Sequence, residues 1–168
     1  MKHALIKNFF TKDEIKILKN YCKISHINND TAFDEKTKNY ETRFYKDPLF
    51  EYFLSKKKHL VEQKSNLKLS GTYSFWRCYT YGADLPKHKD RPSCEISVSA
   101  FIDTDKKGWP IYMDGKAYNL EEGDAVFYKG CEVAHWRETF YGDYHMQAFF
   151  HYVDKNGEFK DYKNDERI

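Results

Sequence analysis

The sequence predicts a mainly β fold, a sandwich or jelly-roll barrel with N-terminal helices packed on one outer face. The order of segments is the first reason: two helical patterns come early, and from residue 68 short β-rich runs follow, separated by Gly, Asp and Pro turn signals. Composition is the second, because 18% aromatic residues, with 14 Tyr and 13 Phe, suit strands and a core of large side chains with polar tips. A chain of 168 residues fits one domain. Its expected parts are a helical support over 1–66, a β core over 67–154 and a charged tail over 155–168.

The first helix is signalled by "NFFTKDEIKILKNYC", where Thr11 and Glu14 form a capping box and Phe10 can staple onto Ile15. It is predicted over about 12–23. In "KDPLFEYFLSKKKHLVEQK" Asp47 caps, Pro48 fits the first helical position, and Leu49, Phe50, Phe53, Leu54, Leu60 and Val61 make an apolar stripe. Lys56, Lys57 and Lys58 read as a solvated face. Residues 25–46 are polar, with a short strand at "ETRFY", and are expected to be mobile, like the tail after 154, because little apolar surface offsets their ordering entropy. The β runs are "KLSGTYSFWRCYTYG", "CEISVSAFID", "WPIYMDG", "KAYNL", "DAVFYKG" and "YHMQAFFHYVD".

Charge and cysteine content exclude several functions. The 28 Lys and Arg nearly balance 26 Asp and Glu, so no global argument points to nucleic acid or an anionic membrane, and no basic stripe with stacking aromatics suggests a nucleobase. Cys22, Cys78, Cys94 and Cys131 lie far apart and read as reduced structural thiols. The start lacks a continuous apolar core and no run reaches transmembrane length, so a soluble, cytoplasmic setting is expected.

In "HKDRPSCEISVSAFID", His88 and Asp90 are two residues apart and can share one strand face. Taken alone, the pair reads as a surface hydrogen bond ahead of half a metal site. A third ligand is offered by His135, after the turn Glu122-Gly123-Asp124 and the run "DAVFYKG". Two imidazoles and one carboxylate are the facial set that leaves positions open on iron(II). On the final run, His145, Gln147, Phe149 and His151 share one face, and Met146, Ala148, Phe150 and Tyr152 the other. The first face is too polar for a filled barrel and implies a cavity. Trp136 and Arg137 are read either as packing and a surface charge or as the frame of a substrate entrance. Arg91 is expected to pair with Glu95 or Glu138, with attraction of an anionic substrate as the alternative, and His3, His26 and His59 to lie on the surface.

The order H-x-D, then "EGDAVFY", "HWRE" and a last aromatic strand resembles the iron(II)- and 2-oxoglutarate-dependent dioxygenases, especially their prolyl-4-hydroxylase-like branch, from about Ser74 to Asp154. The resemblance implies a double-stranded β-helix over 67–154, with His88, Asp90 and His135 holding iron(II) at its open end. It further implies an oxygenase that uses 2-oxoglutarate and O2, with ascorbate as a supporting reductant, to hydroxylate an unactivated C–H bond. The substrate is then a prolyl residue of a peptide or protein, or a small molecule. Asp90 argues for hydroxylation, since related halogenases lack that carboxylate. At the distal carboxylate of 2-oxoglutarate the resemblance places Tyr79, which its residues read equally as a core tyrosine with a satisfied hydroxyl. The family's Lys or Arg, about ten residues after the second His, is replaced by His145, expected to act as an imidazolium, with Arg77 as a further source of charge. That departure keeps two alternatives open: a metal-binding cupin-type barrel without 2-oxoglutarate, and a non-catalytic binding barrel.

Overall fold

A computed structural model of the chain describes residues 1–165. Among the described residues, eleven strands form two antiparallel sheets. The larger holds β1 (His3–Ile6), β9 (Ala125–Lys129), β6 (Ile96–Thr104), β11 (His145–Asp154), β4 (Leu69–Tyr79), β3 (Asn39–Tyr45) and β2 (Ala32–Asp34), in that order. The smaller runs β5 (Leu85–His88), β10 (His135–Arg137), β7 (Ile111–Met113), β8 (Lys116–Tyr118). This is the expected double-stranded β-helix, a jelly roll with helices on one outer face.

Period-two alternation decides which side chains meet which layer. On β6, Ile96, Val98, Ala100 and Ile102 face outward, and on β11 Met146, Ala148, Phe150 and Tyr152 do the same. They pack against Ile15, Leu18 and Cys22 of α1 (Lys12–Ile27) and Phe50, Phe53 and Leu54 of α2 (Pro48–Lys56). Trp76 is fully buried there, stacked on Phe44 with ring centres 4.2 Å apart. The inner faces build a smaller apolar cluster around Ile111, Met113, Val126 and Tyr128, and leave the rest of the interior polar. Between β7 and β8, Asp114 and Gly115 have φ of 48° and 89°, which an Asp-Gly hairpin turn accepts.

The first helix has the capping box that its sequence predicts and runs to Ile27, past residue 23. The second pattern breaks at Lys57 into α2 and α3 (Lys58–Ser65). Residues 32–45, expected to be mobile, form a hairpin whose second strand pairs with β4, so ladder hydrogen bonds and Phe44 order a segment that is otherwise polar. A further strand, β1, pairs with β9, an element that the short apolar start does not signal. Of the histidines expected on the surface, His59 is exposed, His26 is half-buried against Thr42 and His3 bonds Tyr118.

Lys57 does not lie on a solvated face. It is 6% exposed, and its ammonium sits 2.5 Å from Glu14 Oε2, which also accepts from the Thr11 N–H at 2.8 Å. Burial acts to raise the Glu14 carboxyl, but the Lys57 and Thr11 hydrogen bonds outweigh it and hold the group at about 2. Because the folded value lies below the ordinary 4.5, the contribution to stability is complete above about 4.5 and disappears as pH falls to about 2. Glu14→Gln should cost about 3 kcal/mol at neutral pH, since it strands a buried ammonium. Urea denaturation of wild type and variant across this window should show the two curves converging in acid.

Candidate metal centre

His88 ends β5 and His135 begins β10, and the two residues are register partners across the smaller sheet. Their rings lie 4.2 Å apart at the mouth of the barrel. Asp90 lies just beyond β5 rather than on it, held by its N–H donating to the Gly130 carbonyl at 2.9 Å. The Nε2 atoms of His88 and His135 come within 3.6 and 3.5 Å of Asp90 Oδ1. Their Nδ1 atoms face the carbonyls of Pro86 and Val133, at 2.8 and 3.1 Å. A carbonyl only accepts, so each ring carries a proton on Nδ1 and turns Nε2 toward the carboxylate. What lies between these atoms must be a proton or a metal cation, so the donor set fits a metal ion well. Burial acts to raise the Asp90 carboxyl, but His135 and His88 outweigh it and hold the group below the usual carboxylate range.

A second set, Asp90, Cys94 and His151, also brings its ligand atoms within 4.8 Å of one another. Burial pushes the Cys94 thiol up to about 12, and the Tyr73 hydroxyl lies 3.1 Å from its sulfur. His151 is held neutral by burial and bonds Ser97 at 2.8 Å. A thiol held in its protonated form must lose a proton before it ligates well, so the two-histidine set is the better site.

The triad opens onto a cleft of 470 Å³ lined by Tyr73, Tyr79, Arg77, Tyr128, Phe149 and His151, among others. Inside, the polar face of β11 is satisfied by β6. His145 Nε2 donates to Gln147 Oε1 at 2.9 Å, and the Gln147 amide donates to Ser99 at 2.9 Å. Polar side chains on that face therefore satisfy one another as well as border a cavity.

Two residues expected at a carboxylate behave differently in the fold. His145 is 4% exposed, stacked on Phe101 with ring centres 4.9 Å apart and set edge-on to Trp109. Burial first, and the Arg137 charge second, push it well below the ordinary imidazole value. It is neutral where an imidazolium was expected. Arg77 lines the cleft, with carboxylate oxygens of Glu41 at 2.8 Å and Asp34 at 3.5 Å from its guanidinium, and burial pushes the Glu41 carboxyl up to about 7. Tyr79 is 1% exposed and lines the cleft.

The remaining corrections concern arginines and the tail. Arg91 pairs with Asp165 at 2.7 Å, not with Glu95 or Glu138, and the Tyr45 hydroxyl donates to the same carboxylate. That contact docks residues 160–165 beside the cleft instead of leaving a loose tail. Residues 166–168 lie outside the described residues. Trp136 faces outward, stacked on Tyr112, and Arg137 turns inward to 3% exposure. Neither a surface charge nor an entrance frame describes Arg137.

No helix among the described residues is long and apolar enough to cross a membrane. Neither the family models nor the curated proteins compared with the chain match its sequence. Solved structures do match its fold. A Pseudomonas putida prolyl-4-hydroxylase is 15% identical, with a TM-score of 0.72 over 91% of this chain and 92% of that one. The collagen prolyl hydroxylase of Paramecium Bursaria Chlorella virus-1, solved as a 2-oxoglutarate complex, is 12% identical with a TM-score of 0.67 over 90% and 96%. HygX from Streptomyces hygroscopicus, solved with nickel and 2-oxoglutarate, is 11% identical with a TM-score of 0.71 over 92% and 84%. The chain therefore has the double-stranded β-helix architecture of the 2-oxoglutarate-iron(II) oxygenases.

Proposed function

We propose that the protein is an iron(II)- and 2-oxoglutarate-dependent oxygenase that hydroxylates an unactivated C–H bond. The observation that carries this reading is the convergence of two imidazole nitrogens and one carboxylate oxygen at the open end of this fold. Iron(II) with 2-oxoglutarate and O2 would supply oxidising power there that protein side chains lack. His88, Asp90 and His135 would hold the metal. Carbonyls fix both imidazoles in the metal-binding tautomer, so no reorientation is needed on loading. Tyr73, Tyr79, Tyr128 and Phe149 give the cleft aromatic walls that exclude water from the reacting centre.

The substrate is an organic molecule or a peptide side chain that fits this cleft. A prolyl residue is one candidate, since two of the similar folds are named as prolyl hydroxylases, while HygX was solved with hygromycin B bound. A neutral His145 where the family carries Lys or Arg favours the second reading, a metal-binding barrel that does not use 2-oxoglutarate. One experiment separates them. Iron(II)-loaded protein incubated with 2-oxoglutarate, O2, ascorbate and a panel of peptides and metabolites should release succinate and yield one product that has gained an oxygen atom by mass spectrometry. Iron retention with no 2-oxoglutarate consumed would favour the cupin-type reading.

A further inference from the structure

Resting on the oxygenase reading, we propose that Arg137 binds the distal carboxylate of the 2-oxo acid cosubstrate. The cation that the family carries on the last strand is thus supplied here from the strand of the distal metal ligand, and the site prefers a dicarboxylate.

Charge pairing is the first argument. Arg43, Arg77 and Arg91 each face a carboxylate, of Asp34, Glu41 and Asp165 respectively. Arg137 is 3% exposed, and none of the described residues offers it a carboxylate. Its contacts are neutral: Nη1 donates to the Trp109 carbonyl at 2.8 Å, and the guanidinium lies 4.4 Å from the Trp109 ring centre. Nε has no partner. Leaving a guanidinium desolvated and unpaired is costly, and an anionic ligand entering the barrel would offset that cost.

Position is the second argument. Arg137 follows His135 by two residues on β10, so both side chains leave the strand on the inner face, while Trp136 between them points out. Two residues of strand advance about 6.6 Å, comparable to the reach of a five-carbon chain. A 2-oxo acid whose keto end met the triad could therefore set a second carboxylate beside Arg137. Tyr79 and Tyr128, neutral phenols beside Arg137, both line the cleft that leads from the triad.

His145 supplies the third argument. It sits against Trp109, the residue whose ring and carbonyl hold Arg137, with ring centres 4.8 Å apart. A Lys or Arg at 145 would put a second cation into the same dry space. The neutral imidazole, bonded to Gln147 and stacked on Phe101, packs there without that repulsion.

The test uses full-length protein loaded with Mn(II), titrated calorimetrically with 2-oxoglutarate and with 2-oxopentanoate, which has the same carbon chain without the distal carboxylate. Wild type should prefer the dicarboxylate by about tenfold to a hundredfold. Arg137→Met and Arg137→Gln should lose that preference and bind both acids equally, with ligand-free thermal midpoints at or above wild type because an unpaired buried charge is gone. Arg137→Lys, which keeps the charge, should retain most of the preference and covers the case in which a neutral variant fails to fold. A folded neutral variant that still prefers 2-oxoglutarate as wild type does would overturn the assignment while leaving the oxygenase reading intact. Wild type that binds Mn(II) but neither acid would defeat the oxygenase reading, and this assignment with it.

Discussion

Asp90→Ala and His135→Ala are each expected to lower metal affinity more than about a hundredfold and to abolish 2-oxoglutarate turnover. Loss of an outer hydrogen bond to a metal ligand typically costs ten- to a hundredfold, so removing a ligand itself costs at least as much. In Asp90→Ala the two Nε2 atoms also lose the anion that draws them together at 3.5 and 3.6 Å. Equilibrium dialysis of Mn(II) against each purified variant, with near-ultraviolet circular dichroism to verify the fold, gives the measurement. The same assay decides between the two candidate clusters. Cys94→Ala and His151→Ala should bind Mn(II) within a fewfold of wild type. If Cys94→Ala abolished binding while His135→Ala kept it, the ion would belong to Asp90, Cys94 and His151.

The elements that sequence makes legible are those governed by local chemistry. Thr11 and Glu14 specify a helix start through hydrogen bonds three residues apart, and the structure has both. Alternation on β11 separates Met146, Ala148, Phe150 and Tyr152, which pack under the helices, from the polar face that looks inward. That His88, Asp90 and His135 lie together was legible from their order relative to predicted strands. Lys57 was not, because its burial depends on a carboxylate 43 residues away on another helix. The strand at "ETRFY" is legible and falls in β3, but the hairpin over 32–45 is not, because its order comes from pairing with β4, a tertiary event that outweighs polar composition. Arg137 left a usable signal. With His135 facing inward, a period of two turns Trp136 out and Arg137 in, and Glu138, next in sequence, accepts from Trp136 on the other side of the strand. His145 shows the limit of positional transfer, because its surroundings, Phe101, Trp109 and Phe140, set its charge and cannot be read from its place in the chain.

Gly130 is the other residue with no local signal, and it carries the second large effect. It accepts from the Asp90 N–H at 2.9 Å and donates to the Glu95 carbonyl at 2.8 Å, so the two chain segments are pinned together at the candidate metal site. A Cβ at this position would overlap the Cys94 carbonyl oxygen and come within 2.7 Å of Asp90 Oδ2 and 3.0 Å of Asp90 Cβ. The carbonyl belongs to backbone, where relief requires moving the turn that starts β6, and the carboxylate is a proposed metal ligand. Gly130→Ala should therefore destabilise the protein by about 3 kcal/mol, at the upper end of ordinary overpacking, because backbone and not a flexible side chain must yield. Displacing Asp90 should also weaken Mn(II) binding by about tenfold or more, as disturbing a ligand's support does. Chemical denaturation of the metal-free variant reads the first effect, and dialysis at a temperature where the variant is fully folded reads the second. A variant that lost stability but bound Mn(II) as wild type does would show that the turn at Gly130 moves away from Asp90 and that the carboxylate's position is set by His88 and His135 alone.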